Sequence, residues 1–258
     1  MTRLRRAIAA LLVAAVALPA AAYVLSVPAI LRRLAARRAA LSLASVEVTG
    51  TLQADGAAGA AVLAAGGVRG AGGLAAIPAR IAWKVPGRCR VELTPPDAAE
   101  ADRPFLLVRD DKVTGDAELA REPAFSALAR AICTLLAVAP DAQDADRPWA
   151  AALQRRGVTL GGGARLGRFD GRISYVIGGR PTDTKPLAWI DKESFQPVRL
   201  LFNEAGKATD VRLLGWGSPT GGDWAPRAIE VHAGAALQVR FTTEKASANP
   251  RLPELLFQ

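Results

Sequence analysis

The segment Ile81-Ala82-Trp83-Lys84-Val85-Pro86-Gly87-Arg88-Cys89-Arg90-Val91-Glu92-Leu93 reads as two short strands joined at a Pro-Gly turn. Ile81, Trp83 and Val85 share one face of the first strand. Cys89, Val91 and Leu93 share one face of the second, against Arg88, Arg90 and Glu92 on the other. The same period of two recurs down the chain. Asp170-Gly171 joins residues 165–169 to 172–177, with Ile173, Tyr175 and Ile177 in phase. Val198, Leu200 and Phe202, then Ile229 and Val231, then Leu237, Val239 and Phe241 continue the pattern, and further strand-like runs fall at 46–52, 105–109, 112–114, 187–191 and 209–216.

Three stretches change to a helical period. Residues 28–43 place Ile30, Leu31 and Leu34 opposite Arg32, Arg33, Arg37 and Arg38; residues 123–139 and 147–156 are the other two. The Gly/Ala-rich residues 55–76 read as a long hairpin loop. Strands that collect on an antiparallel sheet, with few helices, predict an α+β fold. About ten strands must curl, so the expected architecture is an unclosed β-barrel with a helical lid.

Composition limits the chemistry. The 258 residues are 50% hydrophobic and 22% charged, enough for one domain over 28–258. Lys and Arg number 33 against 24 Asp and Glu, a net +9 spread thinly along the chain, which argues against a nucleic-acid partner. One histidine, His232, and two cysteines are too few for the usual four-ligand zinc site, so neither metal nor cofactor is expected. Gly161-Gly162-Gly163 lacks the Lys and Ser/Thr of a phosphate loop. Asp191 and Glu193 fit a turn, and His232 beside Glu230 reads as a surface residue. No nucleophile, base and orienting group assemble, so the expectation is a protein that is not an enzyme.

Arg3, Arg5 and Arg6 precede 25 uncharged residues. Residues 1–22 have the form of a signal peptide with small residues before Tyr23; residues 7–31 are equally long enough for an uncleaved signal anchor. Either places the body outside the cytoplasm. In an oxidising compartment Cys89 and Cys133 are expected to pair as a disulfide, the other reading being two separate buried thiols.

Residues 30–52, the hairpin 83–92, Trp189-Ile190-Asp191-Lys192 with Phe195-Gln196-Pro197-Val198-Arg199-Leu200, and the ending 249–257 together resemble, in that order, the LolA/LolB-like family of outer-membrane lipoprotein-sorting carriers. The resemblance implies an unclosed antiparallel barrel whose apolar interior holds acyl chains of lipoproteins or other lipids in the periplasm, soluble or tethered to the inner membrane. It also implies an arginine that closes the lid, without singling out one of the several present. On that reading Trp83, Val91, Tyr175, Trp189, Leu200, Phe202, Val231 and Phe241 line the cavity, beneath helices 30–43 and 123–139. The plainer reading makes these side chains a filled core. An anchored envelope sensor or interaction module of the same fold is the alternative function. The basic outer face, with Lys84, Arg88, Arg90, Arg199, Arg212 and Arg240, is either a docking surface for an anionic membrane or a solvated sheet face. A monomer is expected.

Overall fold

The computed structural model describes residues 24–139 and 144–258; the expected signal peptide 1–22 lies outside them, and of the expected anchor 7–31 only residues 24–31 lie inside. Helix α1 (Val27–Ala40) leads into strand β1 (Ser45–Ala54). Helix α2 (Gly56–Ala64) and the short β2 (Val68–Arg69) follow, then β3 (Ala75–Lys84), β4 (Arg88–Leu93), β5 (Phe105–Arg109) and β6 (Lys112–Gly115). Three helices come next, α3 (Ala117–Arg121), α4 (Pro123–Leu136) and α5 (Arg147–Arg155). The chain then returns to strands: β7 (Ala164–Phe169), β8 (Arg172–Ile177), β9 (Leu187–Asp191), β10 (Pro197–Glu204), β11 (Lys207–Leu214), β12 (Ala228–Ala233) and β13 (Ala236–Ala248).

All thirteen strands form one sheet, in the order β6-β5-β4-β3-β1-β13-β12-β11-β10-β9-β8-β7, with β2 paired to β3. Every pairing is antiparallel. Two meanders are therefore sewn together along β1 and β13, and the outer edges β6 and β7 do not pair with each other. The expected unclosed barrel with a helical part is what forms. At the seam Gly50 follows a register shift, and a Cβ there would sit 2.0 Å from the Thr242 carbonyl oxygen, so the close approach requires glycine.

Residues 55–76 are not a plain loop. Asp55 caps α2 by accepting the Gly56 N–H, and the alanines that follow are strong helix formers, which is why a low-complexity run becomes a helix. Its buried Ala58 and Val62 join the main core.

The convex side of β3–β5 is covered by the end of the chain. Phe257 is buried with Ala82, Leu107 and Leu252, and Glu254 binds Lys84 and Arg88, the latter at 2.7 Å. Beside it Glu92 is fully buried among Arg80, Arg90 and Arg103 at 3.1, 2.8 and 3.6 Å. The two basic partners hold the Glu254 carboxyl below its usual 4.5, chiefly through the Lys84 hydrogen bond. A carboxylate with a lowered folded-state pKa adds stability above its unfolded pKa and loses it as pH falls through the folded value. Glu254→Gln is therefore expected to lower urea stability at pH 7 and to match the wild type in strong acid, a convergence that unfolding curves across pH would check.

Candidate functional site

The concave side of the sheet is a trough, and α4 lies along it. All but three of the helix's fourteen residues are buried, the exceptions being Pro123, Arg130 and Cys133. Apart from Ser126, Arg130 and Thr134 on one face, its side chains are apolar, so most of its surface is stable only when enclosed. It touches β4, β5 and β6 from one half of the sheet and β10 to β13 from the other. Phe125, Leu128, Ile132, Leu135 and Leu136 are its large contributors to the core.

Seven of the eight residues assigned to the interior share this core with α4: Trp83, Val91, Tyr175, Leu200, Phe202, Val231 and Phe241. Trp189 does not. In β9 the inward positions are Ala188 and Ile190, while Trp189 packs on the convex side with Val176, Leu187 and Val198, its ring 6.1 Å from that of Phe169. Every residue of β9 is buried because both faces are covered, so alternation carried no sign of which face was which. Where the trough is lined by Trp83, Ile229 and Phe241, the gap has no room for a water molecule. Ile173, in phase with Tyr175, is 44% exposed at the strand end.

Four arginines on α1 strap this helix across the end of the trough. Arg32 reaches Asp146 before α5 at 3.5 Å, Arg33 lies over the Phe195 ring at 5.3 Å, and Arg37 pairs with Asp223 in the β11–β12 loop. Arg38 is 6% exposed and donates to the Leu136 carbonyl at the end of α4, at 3.3 Å, and to the Trp224 carbonyl at 3.4 Å. Burial lowers its pKa to about 10, so it stays charged at neutral pH, where the negative end of a helix dipole favours it. The Gly87 N–H donates to the Ala137 carbonyl at 2.7 Å, and a Cys89–Cys133 disulfide joins the same turn to β4. The expected pairing is thus present.

Midway along α4, Arg130 spans the opening between the two halves of the sheet. Its Nη1 donates to the Asp111 carbonyl at 2.6 Å and its Nε lies 3.3 Å from Glu204. Arg156, at the end of α5, pairs with Asp111 and lies 5.8 Å from the Phe202 ring. Burial lowers the Arg156 pKa, an effect partly offset by Glu204. The helical period put Arg38 on the polar side of α1, yet it is buried; no period marks Arg130 or Arg156, each one arginine among many.

Beside this region is an open groove of about 810 Å3, bounded by the β3–β4 and β5–β6 turns, the end of α4 and the face of α5. Its size is ordinary for a ligand site.

The outer basic residues are largely paired. Lys84 and Arg88 hold Glu254, Arg90 holds Glu92, Arg199 and Arg212 hold Asp210 at 2.8 and 2.9 Å, and Arg240 lies 3.5 Å from Glu230. His232 is 8% exposed, not at the surface, with its Nε2 3.0 Å from Glu230. Asp191 accepts the N–H groups of Glu193 and Ser194, the turn expected of it. Among the described residues no cluster of His, Cys, Asp and Glu is arranged to hold a metal, and no helix is long and apolar enough to cross a membrane.

No family model and no curated protein matches the chain. Among solved structures it is similar to a LolA superfamily protein, NE2245 from Nitrosomonas europaea, with TM-score 0.45 and 14% identity over 91% of this chain and 98% of that one. It is also similar to a DUF1329 family protein from Desulfovibrio piger, with TM-score 0.46 and 10% identity over 91% and 98%. MucB in complex with MucA(peri) matches with TM-score 0.28 and 14% identity, covering 87% of this chain and 58% of that one.

The strap is testable at Arg38. Arg38→Met removes two hydrogen bonds from a charged donor, worth about 1–3 kcal/mol, but also removes a buried charge, so global stability should change by less than about 1 kcal/mol. The amides of the last α4 turn should exchange with solvent about tenfold faster. Unchanged exchange there would show that Arg38 does not hold the helix.

Proposed function

We propose that the chain is a periplasmic binding or carrier protein that takes the acyl chains of lipoproteins or other lipids into the trough now filled by α4, serving lipid or lipoprotein sorting at the outer membrane. The observation that carries this reading is the kind of filling. An apolar wall contributed by both halves of an open sheet is occupied by one helix, and that helix is tied down at its end and flank by polar contacts and a disulfide.

The energetics permit exchange. Each large apolar side chain of α4 gains about 1.5–3 kcal/mol on burial, so the five together gain roughly 10 kcal/mol. A lipid chain gains about 0.8 kcal/mol per methylene, so about a dozen buried methylenes return a similar amount. Swapping helix for lipid is then nearly balanced, and the polar ties at Arg38 and Arg130 decide which state holds. Trp83, Val91, Tyr175, Leu200, Phe202, Val231 and Phe241 are the residues that would meet the lipid, with α1 and α4 as the lid. The work is binding, with no covalent step.

The filling of the trough by α4 favours a second reading, an envelope sensor or interaction module tethered at the inner membrane, in which the same helix moves for a protein partner. A membrane-bound fraction that survives a carbonate wash supports that reading.

Protein purified gently from its host should carry lipid detectable by mass spectrometry, and the delipidated protein should bind a fluorescent fatty acid with micromolar or better affinity. Neither lipid nor fatty-acid binding, in a protein whose fold is intact by circular dichroism, would overturn the carrier reading.

A further inference from the structure

The disulfide is not equally sheltered on its two sides. Cys89 is fully buried in β4, opposite Trp83 on one neighbouring strand and Val108 on the other. Cys133 is only partly buried and forms part of the wall of the 810 Å3 groove, together with Pro86, Val108, Thr134, Pro148 and Ala151. The groove is lined by Cys133 and not by Cys89, so the side from which a thiol can approach the bond is that of Cys133. The groove also ends on the one turn of α4 that the disulfide, Gly87 and Arg38 all hold.

The geometry points to Cys133 as a redox-modification site: a dithiol reductant enters the groove, attacks Cys133, and frees α4 from the sheet. The thiolate of the dithiol bonds to the Cys133 sulfur. The bond to Cys89 breaks, and the Cys89 sulfur leaves with the electron pair and takes a proton from water. The second thiol of the reductant then attacks its own sulfur in the mixed disulfide. Cys133 departs as a thiolate and is protonated. Two protein thiols and one oxidised dithiol result, a two-electron exchange.

The consequence is local. The disulfide closes a sequence separation of 44 residues and ties the last turn of α4 to β4. Without the bond, the last turn of α4 is held to its surroundings by the Gly87 and Arg38 hydrogen bonds and by the packing of Leu135 and Leu136. Reduction thus loosens the helix that fills the trough. The effect on lipid uptake rests on the function proposed above; the thiol step and the loosening do not.

The folded full chain, exposed to glutathione without denaturant and then acid-quenched and alkylated, should carry glutathione on Cys133 and the alkyl group on Cys89 in a peptide map. Glutathione on Cys89, or no reaction except at the rate of global unfolding, overturns the assignment. Ala151→Phe, which narrows the groove, should slow reduction by dithiothreitol about tenfold without lowering the melting temperature, because access limits the attack; an unchanged rate overturns the role of the groove. Reduction should raise hydrogen exchange across residues 123–136 and leave β10 to β13 protected. Uniform loosening, or an unchanged α4, overturns the coupling.

Discussion

The structure depends on the burial of α4. An open sheet of this size exposes a long apolar inner surface, and an unclosed barrel has no opposite wall to cover it. The helix supplies that wall from within the chain, and its near-complete burial follows from a sequence, Pro123–Leu136, in which only Arg130 carries charge. Remove it and residues such as Trp83, Phe202 and Phe241 face water. Three of the other helices serve this arrangement: α3 leads into its capped start, α5 flanks it, and α1 bars its exit with arginines.

The seam between β1 and β13 makes the trough possible. It joins residues near the two ends of the described chain, so the two meanders curve around one helix rather than forming separate sheets. The edges β6 and β7 stay apart, and the opening between the halves is crossed by side chains in place of a strand ladder, with Arg130 and Arg156 meeting Asp111 and Glu204. Hydrogen-bonded backbone would close the barrel for good. Ion pairs close it reversibly.

Much of the fold was legible because its signals are local. Period-two alternation placed the strands, Pro86-Gly87 and Asp170-Gly171 placed hairpins, and compartment chemistry paired Cys89 with Cys133. What escaped reading was set by contacts distant in sequence. The helix after Asp55 hid in an Ala/Gly composition that also suits a loop. Trp189 was assigned to the wrong face because β9 is covered on both sides. Glu92 and His232 read as solvated, yet Glu92 is covered by the end of the chain and His232 is buried against Glu230. Alternation also cannot tell a cavity wall from a packed core, since both demand the same apolar residues; only the helix shows that this wall is filled from inside.

The account stands on the claim that the wall behind α4 is a lipid surface. Its most direct test is photocrosslinking of a diazirine-bearing fatty acid to the intact protein, followed by peptide mapping. Adducts on Trp83, Leu200, Phe202 and Phe241 are the predicted result. Adducts confined to the convex face around Trp189 and Phe257, or none above the level of a denatured control, would contradict it.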